Sequence, residues 1–353
     1  MQLHLVLPGL LWPGKALHDT AHDLELPTLS RLLGRGRLAW QPPLALEAWL
    51  GRAFGIAAEK VPAAALRLLG EGGSPGVDCW LCADPAHLAF EQGRLTLAGG
   101  ELDIADAEME QIVTALAPHL AAHLPGFEAF TAGAQGRAYL RLARAPQLLS
   151  TPPSVAIGRS LQWTSPRGPD APTWQQLGNE LQMLLHALPA NREREIQGRP
   201  GLNTLWFWGA GALPEARPCS YDTIVAATSG DGSQLNTLLK GFAAWANITL
   251  QESGQGIDRL PRTGSTLLLC DDLLLPAQEL DANAWRATLA GIERDWLAPL
   301  AAALSRGGID SLRLTALGEE ACLDVDHKRH DLWRFWRKPR ALHQLRYPTE
   351  TLP

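Results

Sequence analysis

From residue 203 onwards, short apolar runs alternate with stretches of helical length, and that rhythm leaves few folds open. NTLWFWG (203–209), DTIVAAT (222–228), STLLLC (265–270) and SLRLTALG (311–318) have the length and content of buried strands. LNTLLKGFAAWAN (235–247) and NAWRATLAGIERDWLAPLAAALSRG (283–307) lie between them and read as helices. Units of this kind close a mostly parallel sheet with helices on both faces. The chain opens the same way. LHLVL (3–7) reads as a core parallel strand stopped by Pro8-Gly9, and residues 27–34 and 44–55 carry leucines and aromatics in helical register.

Residues 76–200 break the rhythm. CWLCA (79–83) reads as a strand, 87–100 as a hairpin turning at Gln92-Gly93, and 105–123 as a helix built on Met109, Ile112, Val113, Leu116 and Leu120. Two strand-like pieces follow around Gly133 and Gly136, and then a helix over 173–188 with Thr173 as N-cap. The expectation is an α/β core of residues 1–75 and 201–353 that carries 76–200 as an inserted α+β cap.

With 46% hydrophobic and 19% charged residues, the 353-residue chain can bury the cores that two domains require. A net charge of −6 argues against a nucleic-acid binder, although 327–346 is locally basic. Five scattered cysteines make no disulfide framework, as expected of reduced thiols in a cytoplasmic protein. The apolar start has no basic residue before it and is broken by Pro8-Gly9, so it reads as a strand rather than a signal peptide. No apolar run is long enough to span a bilayer, and no membrane role is expected.

Several groups of residues carry possible chemistry. Cys79-x-x-Cys82 has half the spacing of a zinc site, but on a strand its two side chains face opposite ways, and it reads as structural. His18 with His22, and His119 with His123, are each one helical turn apart. Both pairs lack the Glu of zinc-protease motifs and read as ordinary surface histidines. Gly209-Ala210-Gly211 after a strand either cradles a phosphate on backbone N–H groups or makes a tight turn. Arg192, Arg194 and Arg199 form either an anion clamp or a solvated loop face. Residues 327–340 interleave Trp333, Phe335 and Trp336 with basic residues and read as an edge strand.

The segment HALPANREREIQGRPGLNTLWFWGAGALP (186–214) resembles the cofactor-independent, archaeal-type phosphoglycerate mutases of the alkaline-phosphatase-like superfamily, through His186, Asn191, Arg192, Gly198, Asn203, Trp208, Gly209 and Gly211. Lys240-Gly241, and then Ile292, Glu293 and Asp295, follow in the same order. LNTLWFWGAG and HDLWRFWRKP resemble more closely the RpfE-type regulatory proteins of proteobacteria. The resemblance implies an alkaline-phosphatase-like core with an inserted cap, and a Ser nucleophile beside two divalent cations.

The chain departs from that pattern. Pro8 stands where the family has Asp, QPPLA (41–45) holds neither Ser nor Thr, and SLRLTA runs into Leu317-Gly318 rather than Asp-His. The expectation is a catalytically degenerate relative, a cytoplasmic regulatory or anion-sensing protein. Its expected ligand residues are Arg192, Asn203, Trp208, Gly209, Gly211, Lys240, Asp271, Asp272 and His330. No cofactor is expected, beyond at most one divalent metal at Asp271, Asp272, His327 and His330. The expected partners are a small anion or phosphorylated metabolite, and a regulatory protein. A metal-dependent mutase or phosphatase with a rearranged site, and an interaction scaffold, stay open as rivals.

Overall fold

The computed structural model describes residues 1–91, 93–100, 102–227, 234–252, 256–334 and 336–348. In chain order its strands are β1 (Gln2–Leu11), β2 (Arg37–Gln41), β3 (Cys79–Ala86), β4 (Leu88–Glu91), β5 (Arg94–Leu97), β6 (Phe127–Ala132) and β7 (Ala138–Leu142). They continue as β8 (Thr204–Gly211), β9 (Thr223–Ala226), β10 (Thr249–Glu252), β11 (Ser265–Leu269), β12 (Ser311–Gly318) and β13 (Cys322–Lys328). The chain divides into two compact units, one of Met1–Phe54, Pro218–Asn236 and Ala246–Pro353, the other of Gly55–Arg217 and Thr237–Trp245. The second unit is wider at both ends than the 76–200 expected.

The first unit holds a sheet in the order β10-β9-β11-β1-β12-β13-β2. β10, β9, β11, β1 and β12 run parallel, and β13 and β2 add antiparallel pairings. The expected mixed α/β fold with a largely parallel sheet is present. Leu3, Leu5 and Leu7 of β1, with Leu312, Leu314 and Ala316 of β12, form one buried face. Onto it pack the helices Pro27–Arg35, Ala282–Ile292 and Ala298–Arg306 through Leu29, Trp285, Leu289 and Leu300.

The second unit has an antiparallel sheet, β6-β7-β3-β8, and the separate hairpin β4-β5. Its polar centre is Arg67, fully buried, whose guanidinium forks onto Asp84 at 2.7 and 3.0 Å. The Trp208 indole donates to the same carboxylate at 2.8 Å. Two helices cross closely here. A Cβ on Gly241 would lie 1.9 Å from the Leu66 carbonyl oxygen, and one on Gly70 would lie 2.1 Å from that of Thr237.

Four readings of the sequence need correction. NTLWFWG, expected in the core sheet, is β8 beside β3, because an apolar run does not disclose which sheet it joins. β1 does not stop at Pro8-Gly9; it runs on to Leu11 with a register shift, and its β11 ladder ends at Val6, before the missing proline N–H matters. The helix expected at 173–188 spans Ala171–His186, with Pro172 in its first turn and Asp170 rather than Thr173 at the N-cap. The basic stretch after His327 forms a 3₁₀ helix at Arg329–Trp333 rather than an edge strand; Phe335 lies outside the described residues, as does Gln92 of the expected hairpin turn.

Two histidines sit in the core sheet. Burial, aided by Arg313, holds His4 down to about 3, and burial holds His327 down to about 4. Both stay neutral in the folded protein, while the unfolded chain takes up protons from about pH 6.5 downwards. The unfolded state then binds more protons, so stability is complete above about pH 6.5 and declines as pH falls towards 4. For His327 the loss is on the order of 3 kcal/mol. Urea midpoints measured at pH 7, 5.5 and 4.5 should fall more steeply for the wild type than for His327→Leu. Equal slopes would show that His327 is not the titrating group. Gly241→Val should cost about 1–3 kcal/mol by forcing the helices apart, and a calorimetric melt reads it.

Candidate functional site

Open α/β sheets bind ligands beyond the carboxyl ends of their parallel strands. In the first unit that edge is packed. Gly9, at φ +80°, lets β1 lie so close to Leu273 that a Cβ would fall 2.5 Å from its carbonyl oxygen. The Trp285 indole donates to the Gly9 carbonyl at 2.8 Å, and its ring lies 5.1 Å from that of Trp12. Pro8, Leu10 and Leu11 are buried around them. β12 ends in Leu317-Gly318, and a Cβ on Gly318 would meet Leu11 at 2.6 Å.

Asp271 and Asp272 do follow β11. Burial, and then the neighbouring Asp272, push the Asp271 carboxyl up to about 6, and the Cys270 thiol donates to Asp272 at 3.5 Å. Glu293 accepts the Thr28 and Leu29 backbone N–H groups at 2.6 and 3.0 Å, so it caps the helix Pro27–Arg35. Asp295 is engaged by Arg294 at 2.6 Å.

The four residues expected to share a metal are separated by the sheet. β13 is antiparallel to β12, and His327 stands opposite Leu312 near the start of β12. Asp271 follows the end of β11, level with Pro8 and Leu317. Five residues of strand put roughly 16 Å between those levels. His330 lies beyond His327, exposed and 3.3 Å from Asp331. No single cation reaches both groups. With Pro8 and Leu317-Gly318 supplying no ligand atoms, the residues present do not fit the two-metal arrangement that the resemblance implies.

Most of the other expected residues lie in the second unit and have structural work. Asn203 accepts from the Leu88 N–H at 2.7 Å and donates to the Leu88 carbonyl at 2.9 Å. Arg194 is buried and holds Glu108 at 3.0 Å and the carbonyls of Pro200 and Leu102, while Arg199 donates to the Asp103 carbonyl. Arg194 and Arg199 thus form neither an anion clamp nor a solvated loop face but a staple across the loop before the helix Asp106–His123; of the three arginines only Arg192 stands exposed. Gly209 and Gly211 belong to a bulged strand rather than a phosphate-binding turn. A Cβ on Gly209 would meet Ala63 at 2.7 Å, and the Gly211 N–H is directed at the Cys79 sulfur. Lys240 lies at the helix crossing beside Gly70.

The opposite edge of the core sheet holds a cavity that sequence reasoning did not find. About 970 Å³, open to solvent on one side, lies between the starts of β1, β2, β11 and β12, the end of β13 and the 3₁₀ segment. Five cationic side chains line it, Arg37, Arg313, Lys328, Arg334 and Arg337, against two carboxylates, Asp326 and Asp331. Arg313 pairs with Asp326 at 2.6 Å, and Arg334 with Asp331 at 2.7 Å. Arg37 and Lys328 make no ion pair among the described residues. His4 sits between the Tyr221 hydroxyl and the Thr315 hydroxyl, each at 2.7 Å, and Thr315 donates to Asp324 at 2.5 Å. His327 is only 2% exposed. The Leu32 carbonyl slightly favours its charged form, yet no hydrogen bond of good geometry reaches either ring nitrogen among the described residues.

No family model matches the chain. Over 104 residues it is 26% identical to the 2,3-bisphosphoglycerate-independent phosphoglycerate mutase of Methanosarcina mazei, which covers 29% of this chain and 25% of that protein. The match thus spans about a quarter of the length of that curated relative. Among solved structures the chain is similar to the PH0037 protein from Pyrococcus horikoshii, with a TM-score of 0.52 at 14% identity, over 93% of this chain and 87% of that one. The cofactor-independent phosphoglycerate mutase from Thermoplasma acidophilum gives a TM-score of 0.46 at 17% identity, over 97% and 94%. The sequence match and the fold shared with PH0037 support a phosphoglycerate-mutase-like fold.

Proposed function

We propose that the protein is a phosphoglycerate-mutase-like protein without mutase chemistry, which binds a small anion at the amino edge of its core sheet. A regulatory or sensing role is in keeping with its resemblance to the RpfE-type proteins. The observation that carries this reading is the reversal between the two edges. Trp285, Trp12 and Leu11 pack the carboxyl edge, whereas the amino edge opens into a cavity with five cations against two paired carboxylates.

The cavity's chemistry suits phosphate. Arg37 and Arg313 offer planar forks for two oxygens, and Lys328 adds a compact charge. A cytoplasmic setting agrees with free buried thiols at Cys79, Cys82, Cys270 and Cys322. Among the described residues no helix is long and apolar enough to cross a membrane.

Two measurements test the reading. Purified protein supplied with manganese or zinc should fail to interconvert 2- and 3-phosphoglycerate, with a rate about 10⁶-fold or more below an ordinary mutase. Turnover at an ordinary enzymatic rate sinks the non-catalytic half of the proposal. Calorimetric titration with pyrophosphate or 3-phosphoglycerate at low salt should give one site per chain. Arg37→Ala combined with Lys328→Ala should weaken that site at least about tenfold, added salt should weaken it too, and Arg192→Ala should leave it unchanged. An affinity untouched by the double substitution, or no binding, refutes the cavity as the anion site.

A further inference from the structure

A second site, independent of the cavity, is carried by His119, His123 and Glu180 in the second unit. His119 and His123 are one turn apart on the helix Asp106–His123, and Glu180 projects from the helix Ala171–His186. One donor atom from each of the three lies within 4.8 Å of the others. A tetrahedral zinc ion with ligands near 2.0–2.1 Å wants donors about 3.3 Å apart. The cluster needs only small side-chain rotations to close on an ion. Its backbone is already fixed, since Leu116 and Leu120 of one helix and Leu177 and Leu181 of the other belong to one buried cluster.

The surrounding hydrogen bonds prepare these atoms for a cation. His123 Nδ1 lies 3.0 Å from the His119 carbonyl, which can only accept, so Nδ1 carries the proton and Nε2 keeps its lone pair. Glu180 Oε1 accepts from Gln176 at 2.9 Å, which orients the carboxylate and leaves Oε2 facing His119 Nε2 at 2.8 Å. The two imidazole rings stack with centroids 4.2 Å apart. His18 and His22 are spaced alike in sequence, yet no such third donor joins them among the described residues.

We infer that His119, His123 and Glu180 bind a divalent borderline-soft cation, Zn²⁺ above all, with water in the fourth position. The cation takes the place of the proton that His119 shares with Glu180 and ties the two helices together. Two imidazoles and one carboxylate suit zinc better than magnesium or calcium, which prefer all-oxygen shells.

The experiment uses the full chain and Zn²⁺ alone, competed against a chromogenic chelator and followed by thermal melting. The wild type should take up one Zn²⁺ per chain at this site and melt higher with it, as a ligand of the folded state requires. His119→Ala and His123→Ala should each weaken uptake at least about tenfold. Glu180→Gln should weaken it less and lower the gain in melting temperature correspondingly less. His330→Ala, outside the cluster, should behave as wild type. These side chains lie at the surface, so unchanged circular dichroism certifies the fold of each variant. Zinc uptake that survives all three cluster substitutions, or uptake lost with His330→Ala, overturns the assignment, as does a wild type that takes up no zinc.

Discussion

The approach of Gly9 to Leu273 decides what the core sheet can do. Only a residue without a side chain fits there, and with φ at +80° the chain turns into a register shift rather than a loop. β1 therefore runs four residues beyond the point where a nucleotide- or phosphate-binding strand would open out. The freed Gly9 carbonyl is satisfied by Trp285, an indole that is itself fully buried. Leu10, Leu11 and Trp12 fill what would otherwise be a cleft. An apolar plug of this kind gains burial energy at the expense of any charged ligand, whose desolvation there would go uncompensated.

The second unit depends on the opposite kind of contact. Arg67 has no solvent exposure, and its charge is balanced by one carboxylate, Asp84, which Trp208 also holds. The Arg67 guanidinium additionally lies 5.4 Å and 5.2 Å from the ring centres of Tyr139 and Trp208. A pair so buried contributes little net stability, because desolvation offsets attraction, but leaving either partner alone is costly. Its role is to fix β3, β8 and the helix Ala63–Gly70 in one arrangement. The Trp208 that the resemblance marked for a ligand serves that arrangement instead.

The strand–helix rhythm made the parallel core legible, because period and length follow directly from burial. The helix at 105–123 and the hairpin near 87–100 were legible for the same reason. What escaped is non-local. Nothing in NTLWFWG says that its partner is β3, since a strand buried on both faces reads alike in any sheet. Asn203 and Arg194 look like ligand residues because polar atoms near glycines suit anions as well as backbone carbonyls; only the fold tells which acceptor is present. The cavity was hidden because Arg37, Arg313 and Lys328 lie far apart in sequence and meet by register across β2, β13 and β12. His4 inside LHLVL was the local signal, a polar residue in an otherwise apolar strand, and the basic run after His327 was the other.

The order of the core strands bears on how the chain comes off the ribosome. β1 is made first, yet its two neighbours are β11 and β12: Gln2 meets Ser265 on one side and Ser311 on the other. The antiparallel sheet of the second unit, by contrast, lies wholly between Cys79 and Gly211. Loop closure over so long a separation is slow, and it cannot begin until the last quarter of the chain has been synthesised. Through that interval the apolar ribbon Leu3–Leu11 has both edges unpaired, a template for strand addition by other chains. A nascent chain of this topology therefore carries β1 unpaired until β11 and β12 have emerged to flank it.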